Sequence, residues 1–76
     1  MSDFTIENLK KVLDIVAIGD EFPQEVITSD VKRTIAKVIG KIHPLALSSF
    51  MKGMEEMGII RNTGLVTIIH MGSDDL

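Results

Sequence analysis

Four residues, Gln24-Glu25-Val26-Ile27, constrain this chain more than any other feature. They follow a loop marked by Gly19, Asp20 and Pro23, and they run directly into the polar triplet Thr28-Ser29-Asp30. The β-branched pair favours extended backbone, but a strand this short has no independent stability and needs a partner strand. The sequence offers one other place for strands. Ile59-Ile60-Arg61, the turn Asn62-Thr63-Gly64 and Leu65-Val66-Thr67-Ile68-Ile69-His70 read as two β-rich runs joined in a hairpin. The early strand is therefore expected to pair with the late hairpin.

The remaining segments carry helical spacing. From Phe4 to about Ile18, the residues Leu9, Val12, Leu13 and Val16 fall on one face, with Glu7, Lys10, Lys11 and Asp14 opposite. Thr5 with Asn8, or Ser2 with Thr5, is placed to cap the start, and Gly19 ends the helix. Thr28-Ser29-Asp30 offers an N-cap for a second helix, in which Val31, Thr34, Ile35 and Val38 keep the period up to Gly40. After the tight connection Gly40-Lys41-Ile42-His43, Pro44 suits the first turn of a third helix, because its missing N–H has no helical partner there. That helix sets Leu45, Leu47, Phe50, Met51, Met54 and Met57 largely on one side and closes at Gly58. The methionines at 51, 54 and 57 are expected to fill the core with flexible side chains rather than to form an adaptable contact surface. Residues 71–76 read as a polar, fraying tail.

Composition decides how such a chain is held together. Seventy-six residues make one domain near the lower size limit for an unstapled core, and the absence of cysteine excludes both disulfides and thiolate metal sites. Stability must come from apolar burial, which 45% hydrophobic against 25% charged residues permits. The longest apolar runs, such as Ile15 to Ile18, are about a fifth of the ~20 residues a membrane-spanning helix needs. With no basic region ahead of an apolar stretch at the N-terminus, a secretory signal is not expected and a cytoplasmic location is. The net charge of −3 is unevenly spread. Residues 1–30 carry seven acids and two bases, and residues 31–61 carry six bases and two acids. A basic side is possible despite the acidic total.

The order helix, strand, helix, turn, helix, hairpin gives an α+β domain: three helices with a small antiparallel sheet, α-β-α-α-β-β, the winged-helix arrangement. One domain spanning residues 1–76 is expected, with its core at about 4–70. The chain resembles the winged helix-turn-helix superfamily over nearly its whole length. Ile27-Thr28-Ser29-Asp30-Val31, His43-Pro44, Met57-Gly58-Ile59-Ile60-Arg61 and Thr63-Gly64 look like small phage-type members, in which a T-S-D helix start is followed by a G-I-I-x-x-x-G lead into the wing.

Catalytic chemistry has little to stand on. No serine lies in a Gly-x-Ser-x-Gly elbow, Ser29 reads as a helix cap, and there is no Gly-rich phosphate loop. His43 and His70 belong to no ligand motif, and Glu55 and Glu56 diverge by ~100° on a helix. An enzyme is not expected, nor a cofactor or metal. The resemblance instead implies a DNA-binding, regulatory or phage accessory module whose third helix enters the major groove and whose wing approaches the backbone. On that reading Leu45, Ala46, Ser48, Ser49 and Lys52 face the bases. Lys32, Arg33, Lys37, Lys41 and Arg61 meet phosphates, with Asn62 and Thr63 at the wing tip. Lys52 is the lone cation on the reading face, which holds no Arg, Asn or Gln, so a monomer would bind double-stranded DNA weakly and a homodimer would repair this. The acidic total supports an alternative: a protein-interaction module, inhibitor or adaptor, docking on a basic nucleic-acid-handling partner through Asp14, Asp20, Glu21 and Glu25.

Overall fold

In the computed structural model, which describes residues 2–76, the early strand finds its expected partner. The chain forms α1 (Ile6–Val16), β1 (Gln24–Ile27), α2 (Thr28–Ile39), α3 (Pro44–Glu56), β2 (Ile60–Asn62) and β3 (Val66–Ile69). β3 is central: it pairs antiparallel with β1 on one side, Gln24 opposite Ile69 and Ile27 opposite Val66, and with β2 on the other, Ile60 opposite Ile69. Three helices and a three-stranded antiparallel sheet in α-β-α-α-β-β order make the α+β winged-helix arrangement.

Alternation along β3 sets the layers. Thr67 and Ile69 are buried towards the helices, while Val66 and Ile68 lie half-buried on the outer face. Onto the inner face pack Leu9, Val12 and Leu13 of α1, Val31 and Ile35 of α2, and Phe50, Met51 and Met54 of α3. Met51 and Met54 are thus core residues, and Met57 is exposed.

Local chemistry fixes where each helix stops. α1 is shorter than its 4–18 apolar spacing suggests. Thr5 caps it by accepting from the Asn8 N–H at 3.1 Å, and beyond Val16 the Gln24 side chain takes both the N–H and the C=O of Ile18, at 2.8 and 2.6 Å. That amide clamp holds the loop extended where another helical turn would otherwise form. α2 departs from expectation at its start. The helix begins at Thr28 itself, the cap position falls on Ile27 with no side-chain bond, and Ser29 sits exposed inside the first turn rather than capping it. The reason lies in the absence of a loop: β1 passes straight into α2, so the Thr28 N–H donates to Leu65 O of the hairpin at 2.9 Å and the Thr28 hydroxyl meets the Thr67 hydroxyl at 2.8 Å.

α3 is capped at both ends. His43 Nδ1 accepts from the Leu45 N–H at 3.2 Å, and Pro44 opens the helix. At the far end Gly58, at φ 74°, turns the chain left-handed. The Ile59 N–H then reaches Met54 O at 3.0 Å and the Gly58 N–H reaches Glu55 O at 2.9 Å. This reversal sends the chain directly into β2. Residues 71–76, expected as a fraying tail, lie against α1: Met71 and Leu76 pack on the core, Ser73–Asp75 form a short 3-10 turn, and the Ser73 hydroxyl bonds the Asp14 carboxylate.

The N-terminal segment is tied to α3. Phe4 meets Phe50 edge-on, ring centroids 5.1 Å apart, and its ring covers Gly53 so closely that a Cβ there would lie 2.9 Å from it. Alanine in a helix interior normally gains ~1 kcal/mol over glycine. Gly53→Ala should show little of that gain in the native background and recover it in a Phe4→Ala background, as read by urea denaturation of the four proteins.

Candidate nucleic-acid interface

α3 is anchored by Phe50, Met51 and Met54, which turns the opposite side of the helix to solvent. Leu45 is 74% exposed, and Ser48, Ser49 and Lys52 are exposed with it. The five residues expected to face bases do not share one surface. Ala46 is half-buried and, with Ser49, borders a 190 Å³ cleft whose other wall is Ser2, Asp3 and Phe4. The N-terminal segment thus flanks one side of the helix, and Leu45, Ser48 and Lys52 lie clear of that cleft. Glu55 and Glu56 are also exposed and in no ion pair among the described residues, so α3 presents one cation and two anions.

The expected phosphate contacts are divided among separate places. Lys32 borders an apolar depression shared with Ser29, Gly64 and Leu65, beside the hairpin turn. Arg33 and Lys37, on another flank of α2, line a groove with Ile15, Ile18 and Glu25. Arg33 holds Asp30 at 2.9 Å, and Lys41, in the α2–α3 connection, holds Asp3 at 2.9 Å. Arg61 lies opposite Ile68, across β3 from Glu25. The ion pairs are exposed and worth at most ~1 kcal/mol each, so neither removes its cation from use.

The wing tip is built differently from the expectation of polar contacts. Asn62 Oδ1 accepts from the Gly64 N–H at 2.9 Å, and the Thr63 hydroxyl donates to Val66 O at 2.8 Å. Both side chains shape the turn. Gly64, at φ 102°, allows it, and Leu65 projects from it 88% exposed. The tip therefore carries the exposed apolar Leu65 beside the polar Asn62 and Thr63, with Lys32 and Arg61 as nearby cations.

No cluster of three or more His, Asp or Glu side chains is arranged to hold a metal among the described residues, and no buried side-chain nitrogen or oxygen there lacks a partner. Among the described residues, no helix is long and apolar enough to cross a membrane. What the sequence reading missed is the strip of exposed isoleucines at positions 15, 18 and 27. A signal for it exists: Ile15 precedes Val16 on α1 and so points ~100° away from the buried stripe. Set against models of protein families, curated proteins and solved structures, the chain matches none of them.

Proposed function

We propose that this protein is a non-enzymatic winged-helix module that binds double-stranded DNA through the outward side of α3, with Lys32 and the hairpin turn beside the duplex. The observation that carries the reading is the freedom of Leu45, Ser48 and Lys52 on a helix whose other side is locked into the core. Leu45 is suited to a thymine methyl group, Ser48 accepts or donates to a base edge, and Lys52 reaches a guanine or a phosphate. The Ser29 N–H, in the first turn of α2, lies at the positive end of that helix, where a phosphate is favoured.

The charge distribution fixes the expected strength. Lys32, Lys52 and Arg61 provide about three phosphate contacts, which gives a slope of about −2.7 in log affinity against log salt, or ~40-fold weakening from 50 to 200 mM. Proteins with six to ten such contacts lose ~10³–10⁵ over the same interval, so binding here is weak and of low sequence selectivity. Fluorescence anisotropy on a labelled duplex at two salt concentrations tests this. Lys52→Ala should flatten the slope by about one, whereas Lys11→Ala, whose cation pairs with Glu7 on α1, should leave it unchanged.

A second reading rests on Glu55 and Glu56 at the end of α3 and on Asp20, Asp74 and Asp75 around a 290 Å³ hollow near the end of α1. These acids suit a basic protein partner, one that itself handles nucleic acid. Absence of salt-sensitive DNA association at 50 mM salt, together with capture of such a partner, would select this reading and reject the first.

A further inference from the structure

β1 is an edge strand, covered by β3 on one side only. Beside it a 620 Å³ groove runs between the end of α1 and one flank of α2, with Ile15, Ile18 and Ile27 in its walls. Ile18 is 84% exposed and the other two are 59% exposed. Ile27 also borders the depression that holds Leu65 and Val66, so one apolar strip continues from Ile18 to the hairpin turn. Chains ordinarily blunt such an edge with charge, proline or a covering element, and here Glu25 is the single charge on the strand.

We infer that this groove is the interface of a two-fold symmetric homodimer. The order of charges along it identifies the second copy as the occupant. Asp30 lies in the first turn of α2, Arg33 follows, and Lys37 lies in the last turn, all three lining the groove. Over the ~10 Å from Asp30 to Lys37 the wall therefore changes from acidic to basic. In a two-fold contact, residue i meets residue j of the mate and j meets i. Two α2 helices crossing the axis antiparallel set Asp30 against the partner's Lys37 and Lys37 against the partner's Asp30. A parallel approach would oppose like charges. With Glu25 included, two acids and two bases line the groove, so this surface carries no net charge on a chain of −3 and does not repel its own copy. A partner of a single sign would meet repulsion at one end. A stable contact takes about 800 Å² from each copy, roughly a sixth of the 4913 Å² surface, and the strip from Ile18 to Leu65 supplies apolar area beside the axis, which passes near Thr34.

The test needs no DNA, so its result is separate from that of the DNA reading. Sedimentation equilibrium on the full chain between about 10 and about 500 µM should show the mass rising from 8.4 kDa towards twice that value. Ile18→Lys, at an exposed position outside the core, should weaken association at least about tenfold, with a thermal melt unchanged at about 10 µM or below, where both chains are largely monomeric. Asp30→Lys and Lys37→Asp should each weaken it, and the two together should restore it to within a few-fold of the native chain, because the reversed pair meets its own reverse across the axis. A native chain that stays at 8.4 kDa throughout overturns the inference. So does an Ile18→Lys chain that associates like the native one, or a double variant as weak as the weaker single.

Discussion

Phe50→Ala should cost about 3–5 kcal/mol and lower the melting temperature by more than about 10 °C. Phe50 is 1% exposed and, of the three phenylalanines, it alone lies fully in the core, where it meets Phe4 edge-on and lies on α3 between Leu47 and Met54. A chain of this size has a total stability of about 4–11 kcal/mol, so this single cavity removes roughly a quarter of it at the least. No helix packs behind α3 to collapse into the space, since the far side of that helix faces solvent. The chain has no Trp or Tyr, so the measurement is far-UV circular dichroism in urea, with Phe50→Leu as the milder comparison. A loss below about 1 kcal/mol would mean that α3 is not held by this contact, and its proposed reading side would lose its fixed orientation.

The parts of the fold legible in the sequence are those that follow from spacing. Leu9, Val12, Leu13 and Val16 define α1, and Pro44 and Gly58 bracket α3 through proline's missing donor and glycine's tolerance of positive φ. The pairing of β1 with the hairpin was legible because a four-residue strand cannot stand alone and a single partner was on offer. The start of α2 was not legible. Thr-Ser-Asp is a strong local signal for an N-cap, but here a tertiary contact from Leu65 takes the Thr28 N–H, and the local preference yields to it. The end of α1 was obscured in the same way, because the Gln24 side chain acts on Ile18 from six residues away.

The candidate site was legible as a set of residue types but not as a surface. Lys32, Arg33 and Lys37 are neighbours in sequence, yet 100° per residue separates them around α2, so Lys32 joins the hairpin turn while Arg33 and Lys37 join the groove. Asn62 and Thr63 read as exposed polar contacts, and the turn uses their side chains for itself. The charge asymmetry between the two halves of the chain is divided among several elements of the fold. The fold distributes the cations, and the acids of α3 sit beside Lys52. The isoleucine strip draws one residue each from α1, the loop after it and β1, so no single helical or strand period marks it in the sequence.

Thr28→Val and Thr67→Val should each destabilise the protein by about 1–3 kcal/mol, and the double variant should lie within about 1 kcal/mol of the native chain. The two hydroxyls are 2.8 Å apart, and both residues are buried, Thr67 completely. One donates to the other. Removing either strands its partner's hydroxyl in an apolar layer, where desolvation goes uncompensated. Removing both leaves two side chains of nearly the original shape and no polar group to satisfy, so the coupling energy in a double-mutant cycle should be large and opposite in sign to the single losses. The pair therefore acts less as a source of stability than as a lock on geometry. It joins the first residue of α2 to the central strand, next to the Leu65 carbonyl that receives the Thr28 N–H, and so sets the hairpin turn at a fixed distance from Lys32. With the lock replaced by two valines, the strand keeps its apolar pattern but loses the polar contact that rejects a shifted register. Faster exchange of the backbone amide at position 28 in the double variant, at unchanged global stability, is the expected signature. Additive losses in the cycle would show instead that each hydroxyl has a partner of its own, and the register would then be set by the apolar residues of β1 and β3 alone.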